Sequence, residues 1–177
     1  VAAGEAAARL WSWRRPAGRV LVSILALWYA GGTLRNHPHH LAYFNEIAGG
    51  PANGWRWLVD SNLDWGQDLK RLAAWMHENG VPRIKLSYFG SALPAYHGID
   101  AVALPGYTAP HTAHVVREVH PGDVVAVSAT HLQGVYVDPE DRALLARFRA
   151  LEPIGRAGWS ILIYRADFSW PDAVLPA

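Results

Sequence analysis

Residues 124–164 read VVAVSATHLQGVYVDPEDRALLARFRALEPIGRAGWSILIY, and their pattern decides the fold class. The stretch opens on a β-branched run, Val124 to Val127, entered through the turn Pro121-Gly122-Asp123. It closes on a second apolar run, Trp159 to Tyr164. Between them a helix is expected, with Asp138 as N-cap, Pro139 at its first position, and an inner face of Leu144, Leu145, Phe148 and Leu151. Strand, helix, strand over this length is the pattern of a βαβ unit. The expected fold is therefore α/β, a small mixed sheet with flanking helices.

Upstream, Ile84 to Phe89 alternates Ile, Leu and Tyr with Lys and Ser and predicts another strand. The helix before it carries an apolar stripe of Trp65, Leu69, Leu72, Ala73 and Met76. Asp64 with Gln67 three residues later suits a capping box, and Asp68 places negative charge in the first turn. Trp65 is accordingly expected to point into the core. Gly80 and Pro82 stop the helix. A shorter helix is expected over 40–48, ended by Gly49-Gly50-Pro51. The stretch 90–120, rich in Gly, Pro and His, has no single reading.

The first forty residues are organised by charge. Arg9, Arg14, Arg15 and Arg19 precede Val20 to Leu34, VLVSILALWYAGGTL, which has no charge until Arg35. As a helix this run measures roughly 22 Å, short of a hydrocarbon core of about 30 Å. Flanking arginines and Trp28 with Tyr29 suit the interfaces of a span. A buried soluble helix, a signal-peptide core and an interfacial helix are the competing readings. The expected organisation is a cytoplasmic basic segment over 1–19, a transmembrane helix over 20–36 and an extracytoplasmic α/β domain over 37–177. Arginine excess before the run sets that orientation. A cell-membrane location follows, with lipid as a partner. The chain begins at Val1 rather than Met and is read as the C-terminal part of a longer protein.

Of the 177 residues, 51% are hydrophobic and 18% charged, enough for a core. A net charge of +1 gives no basic footprint for nucleic acid, and the lack of Cys removes disulfides and thiolate chemistry. Neither a nucleophile elbow, a phosphate-cradling loop nor a dinucleotide fingerprint occurs. Asp60, Asn62, Asp64 and Asp68 begin like a calcium loop. Trp65 then stands where Gly is needed and Arg71 where Glu is needed, so helix-start and turn roles compete with metal binding. His37, His39 and His40 follow the apolar run and suit an interfacial collar, while His111 and His114 share a helical spacing. Trp55, Trp57, Trp65, Tyr88, Phe89, Tyr96, Tyr107 and Tyr136 fall at turns or strand ends, where aromatic faces beside Asn, Asp and Gln suit a sugar ring or headgroup as well as ordinary packing. The ligand-binding candidates are Asn45, Glu46, Trp55, Asp60, Asn62, Asp64, Trp65, Asp68 and Gln133.

The run HPHHLAYFNEIAGGPANGWRWLVDSNLDWGQDL, residues 37–69, and LQGVY, residues 132–136, carry a resemblance. Tyr43-Phe44-Asn45-Glu46, Gly49-Gly50-Pro51 and the run from Asp60 to Asp68 are its most specific parts. The chain resembles, over residues 35–165, the C-terminal region of bacterial polyprenyl-phosphate-sugar-dependent membrane glycosyltransferases, related to protein O-mannosyltransferases and of GT-C fold. The resemblance implies a parent that transfers a sugar from a polyprenyl-phosphate donor to an extracytoplasmic acceptor. It also implies that the catalytic acid lies in an early loop outside this chain, so no catalytic residue carries over. This domain would then be accessory, positioning an acceptor or bracing the membrane helices. No cofactor is expected in the chain itself, and a divalent cation is open to the parent. The alternative is a non-catalytic ligand-binding or sensor module tethered by one membrane helix.

Overall fold

The computed structural model describes residues 2–12, 16–106 and 115–171. The chain divides into two compact units, Val1–His40 and Leu41–Ala177. The first holds helices α1 (Ala2–Ser12) and α2 (Pro16–Arg35). Proline at the first position of α2 starts that helix four residues before the uncharged run. Its 20 residues therefore measure about 30 Å rather than 22 Å, a match to a hydrocarbon core. Val20, Leu21, Ile24, Leu25, Leu27, Trp28 and Tyr29 are all exposed, and α2 is long and apolar enough to cross a membrane. The expected basic segment is itself largely helical, as α1, where Glu5 pairs with Arg9 one turn on. Arg14 and Arg15 lie outside the described residues.

The second unit is built on five strands: β1 (Ile84–Ser87), β2 (Ala101–Ala103), β3 (Val124–Ser128), β4 (Gly155–Ala157) and β5 (Ile161–Arg165). Their order is β2-β1-β3-β5-β4. β1 is parallel to both β2 and β3, whereas β5 is antiparallel to β3 and to β4. The mixed sheet is as expected. The βαβ reading of 124–164 is not, because the chain leaves its helix along β4 at the sheet edge. It then reverses through Gly158, at φ +57°, and enters β5 against the direction of β3.

Four helices complete this unit: α3 (Pro51–Gly54), α4 (Leu69–Glu78), α5 (Ala129–Leu132) and α6 (Arg142–Arg149). Alternation along β3 and β5 sends Val125, Val127, Leu162 and Tyr164 to one face, where they meet Leu132, Leu144, Leu145 and Phe148. Ala126, Ile161 and Ile163 go to the other face and meet Leu69, Leu72 and Met76 of α4. A sheet covered on both faces needs continuous apolar strands, which is why VVAV and ILIY lack polar alternation.

Three local expectations are corrected. First, α4 begins at Leu69, not after Asp64, and Trp65 is 65% exposed rather than in the core. The cause is a turn over 64–67: the Asp64 carboxylate accepts the Gly66 N–H at 3.0 Å and Gln67 Oε1 accepts the Trp65 N–H at 2.7 Å. Gly66 sits at φ +74°, which no helix residue can adopt. Second, the expected 40–48 helix is two 3-10 turns, His40–Ala42 and Glu46–Ala48, separated where Asn45 is extended. Third, α6 starts at Arg142. The Asp138 carbonyl accepts from Asp141 and Arg142 in a preceding turn, while Leu144, Leu145 and Phe148 are buried as expected.

Candidate functional site

The parallel strands β1 and β3 end side by side, and open sheets of this kind bind ligands beyond their carboxyl ends. Ser87, Tyr88 and Phe89 finish β1, and Ser128 to His131 follow β3. The Phe89 N–H donates to Ser128 Oγ at 2.9 Å, fastening the two ends. Below them a buried group is formed by Ser87 and His131. Ser87 Oγ donates to the Pro105 carbonyl at 2.6 Å, and His131 Nδ1 lies 3.0 Å from the same oxygen. Burial pushes His131 down to about 4. The ring is therefore neutral near pH 7, and its Nδ1–H is the donor to Ser87 Oγ.

The loop over 59–68 lies across these ends. The Asp60 N–H donates to Thr130 Oγ1 at 3.0 Å, and Asp60 Oδ2 accepts from Tyr136 Oη at 2.7 Å. Among the described residues, Asp60 and Tyr136 are the two non-glycine positions at positive φ, both +57°. Such backbone costs about 1–3 kcal/mol and concentrates where function requires a fixed side chain. The Tyr136 ring stacks on Phe89 with centroids 5.6 Å apart and planes 6° apart, and Phe89 meets His131 edge-on at 6.0 Å. Trp65 stands beside this loop with its Nε1–H donated to the Ser61 carbonyl at 3.0 Å. Exposed aromatic faces thus border a carboxylate held at a defined angle. Tyr136→Phe is expected to cost about 0.5–1.5 kcal/mol, the worth of one hydrogen bond, while keeping the stack on Phe89. Thermal unfolding of the variant measures it, and an unchanged midpoint would show that the Asp60 contact contributes nothing.

Behind the loop sit two buried carboxylates with different surroundings. Asp68 is saturated: Oδ1 accepts from Arg71, and Oδ2 accepts from Ser160 Oγ and the N–H groups of Trp159 and Ser160. Asp64 is also fully buried, yet its Oδ2 has no partner at hydrogen-bonding geometry. Burial, helped by the nearby Asp68 charge, raises Asp64 from 3.8 to about 7; the Gly66 N–H and the Ser160 and Ser128 hydroxyls oppose this only in part. Tyr88, pushed up to about 12 chiefly by burial, donates its hydroxyl to the Gly66 carbonyl at 2.8 Å. Gly66 and Gly90 are needed here, since a Cβ on either would collide with the Tyr88 hydroxyl.

The candidates named from sequence divide between places. Asp60 and Trp65 flank the strand ends, with Asn62 exposed on the same loop. Gln133 Nε2 donates to the Trp55 carbonyl at 3.1 Å, so those two join the same loop to the segment after α5. Asn45 caps the 46–48 turn through the Ala48 N–H, and Glu46 lies exposed in that turn. Asp60, Asp64 and Asp68 do not converge as cation ligands; among the described residues the carboxylates that do are Asp138, Glu140 and Asp141. Of these, Asp141 is engaged by Arg117 at 2.8 Å. His37 Nδ1 and His40 Nε2 are 3.1 Å apart. Tyr107, His111 and His114 lie outside the described residues. Phe89, Thr130, His131 and Ser160 were not among the sequence candidates, although three of them directly follow strand runs, which is the signal that marks such ends.

Compared with known proteins, the chain matches no family model, no curated protein and no solved structure.

Proposed function

We propose that this chain is the C-terminal part of an integral membrane glycosyltransferase that uses a polyprenyl-phosphate sugar, and that its compact unit holds the extracytoplasmic acceptor. One observation supports this above the rest. The two stretches that carry the family resemblance, 43–68 and 132–136, are far apart in sequence yet meet in space. Tyr136 bonds Asp60, and Gln133 bonds the carbonyl of Trp55. Motif residues converging on one place at the strand ends are what a shared binding task requires. An aromatic face beside a fixed carboxylate is chemistry suited to a sugar or a hydroxylated acceptor: the ring covers apolar C–H surface and the carboxylate accepts from hydroxyls.

In this reading the sugar-transfer chemistry belongs to the rest of the parent, and the Asp60–Trp65 loop orients the acceptor hydroxyl for it. The purified chain alone should transfer no sugar from a polyprenyl-phosphate donor. In membranes containing the whole parent, replacing both Asp60 and Trp65 by alanine should reduce transfer by about tenfold or more, since misplaced reactants forfeit large rate factors. Full transfer by a folded double variant would reject the role, and transfer by this chain alone would move the catalysis into it.

The reading also requires α2 to cross the membrane with the following unit outside. Arg9, Arg14, Arg15 and Arg19 precede the uncharged run, and Arg35 follows it. A reporter that works only in the cytoplasm, fused after residue 177, should be silent. Strong activity would reverse the orientation.

A further inference from the structure

We infer that the face formed by Ile47, Arg56 and Trp57 is a membrane-docking surface that seats in the headgroup layer of an anionic bilayer. This goes beyond acceptor binding and rests only on the membrane reading of α2. The face is built from the Glu46–Ala48 turn and the chain leaving α3. A shallow depression of about 390 Å3 is lined by Ile47, Ala48, Gly49, Asn53, Arg56 and Trp57, which brings these side chains onto one surface. Ile47 is 86% exposed and Trp57 67%, and Leu58 beside them is half exposed. Trp57 is nonetheless held in place, because its Nε1–H donates to the Ala48 carbonyl at 3.0 Å. Asn53 braces the same turn through the Gly49 carbonyl. A fixed indole with its polar edge satisfied and its ring presented outward is the arrangement that settles at a lipid–water interface.

Charge names the occupant. The Arg56 guanidinium lies over the neighbouring Trp55 ring at 5.3 Å, and among the described residues no carboxylate forms an ion pair with it. Arg156 is close enough to Arg56 to feel its charge, and it is anchored by donating to the Ala52 carbonyl at 2.6 Å. Two neighbouring cations beside exposed Ile and Trp suit lipid phosphates above acyl chains better than an apolar protein surface, on which an unpaired Arg56 would be costly. Continuity supports the same occupant. Leu41 opens the compact unit six residues after Arg35 ends α2. Chain of that length reaches at most about 20 Å, so the docking face is tethered to any bilayer that α2 crosses.

The chain has no cysteine, so single nitroxide labels can be placed without background. The full chain in lipid nanodiscs would carry Ile47→Cys, Tyr96→Cys or Ser23→Cys in turn. Tyr96, 89% exposed on the turn after β1, is the aqueous comparison, and Ser23 within α2 is the buried one. With phosphatidylglycerol present, the label at 47 should collide readily with oxygen and poorly with a water-soluble nickel complex, as at 23 and unlike 96. Arg56→Ala should reduce the docked fraction's equilibrium about fivefold, the usual worth of one basic residue near an anionic surface, and phosphatidylcholine alone should act in the same direction. Nickel access at 47 equal to that at 96, with 23 protected, overturns docking while leaving the span intact. Aqueous behaviour at 23 overturns both. Shielding at 47 from oxygen and nickel alike indicates a protein cover, such as a second copy, and overturns the lipid assignment.

Discussion

Replacing Asp68 by alanine is expected to destabilise the compact unit by about 3–5 kcal/mol, the range for removing one partner of a buried charged network. The carboxylate is 1% exposed and ties the start of α4 to the β4–β5 turn. Its loss strands two backbone N–H groups, at Trp159 and Ser160, and the Ser160 hydroxyl, each of which gave up water to reach it. The Arg71 guanidinium also loses its partner, but it is partly exposed and recovers water. Ser160→Ala removes one donor and leaves the others, so it should cost only about 1 kcal/mol. A companion variant makes the assignment specific. A Cβ on Gly158 would run into the Asp68 carboxylate, so Gly158→Ala should be severe in the parent and relatively milder once Asp68 is alanine. Denaturant unfolding of the four forms in detergent gives the cycle. A loss under about 1 kcal/mol for Asp68→Ala would show that the network does not hold the turn.

The same residues explain what the sequence could and could not tell. The stripe of Leu69, Leu72 and Met76 and the apolar runs of β3 and β5 are legible because one period matches one buried face. The start of α4 is not. Asp64 and Gln67 have the spacing of a capping box, yet both side chains bond inside a turn that Gly66 bends, and a glycine's φ is invisible in sequence. Strands β2 and β4 have three residues each, too few to show a period. The reversed direction of β5 was equally hidden, since alternation reports faces and not direction. At the site, Asp60 and Trp65 stood out as acid and aromatic within one short run. Their partner did not: Tyr136 lies 76 residues from Asp60, and only the folded sheet brings them together.

Asp64 should make stability fall as pH rises from about 4 to 7. Its folded-state value, near 7, lies above the unfolded 3.8 because burial penalises the charge. In that window the folded chain holds a proton that the unfolded chain has released, so raising pH favours unfolding. Below the window both states are protonated and the contribution is complete; above it both are ionised and the loss levels off. Between pH 5 and pH 8 the difference amounts to about 2–3 kcal/mol. The groups facing Asp64 agree with this direction. Asp68 adds a like charge, Tyr88 is a neutral phenol, and the single firm donor, the Gly66 N–H, serves one oxygen while the other has none. Asp64→Asn separates charge from shape. Its carbonyl oxygen can still accept from Gly66, and an uncharged amide takes the place of the orphaned oxygen. The variant should match the parent near pH 5 and exceed its stability near pH 8, whereas an ordinary ionised aspartate would make asparagine no better at any pH. Unfolding curves at both pH values, with parent and variant in the same detergent, decide the matter. Parallel pH profiles would mean that Asp64 is ionised in the folded protein and has found a partner for its second oxygen.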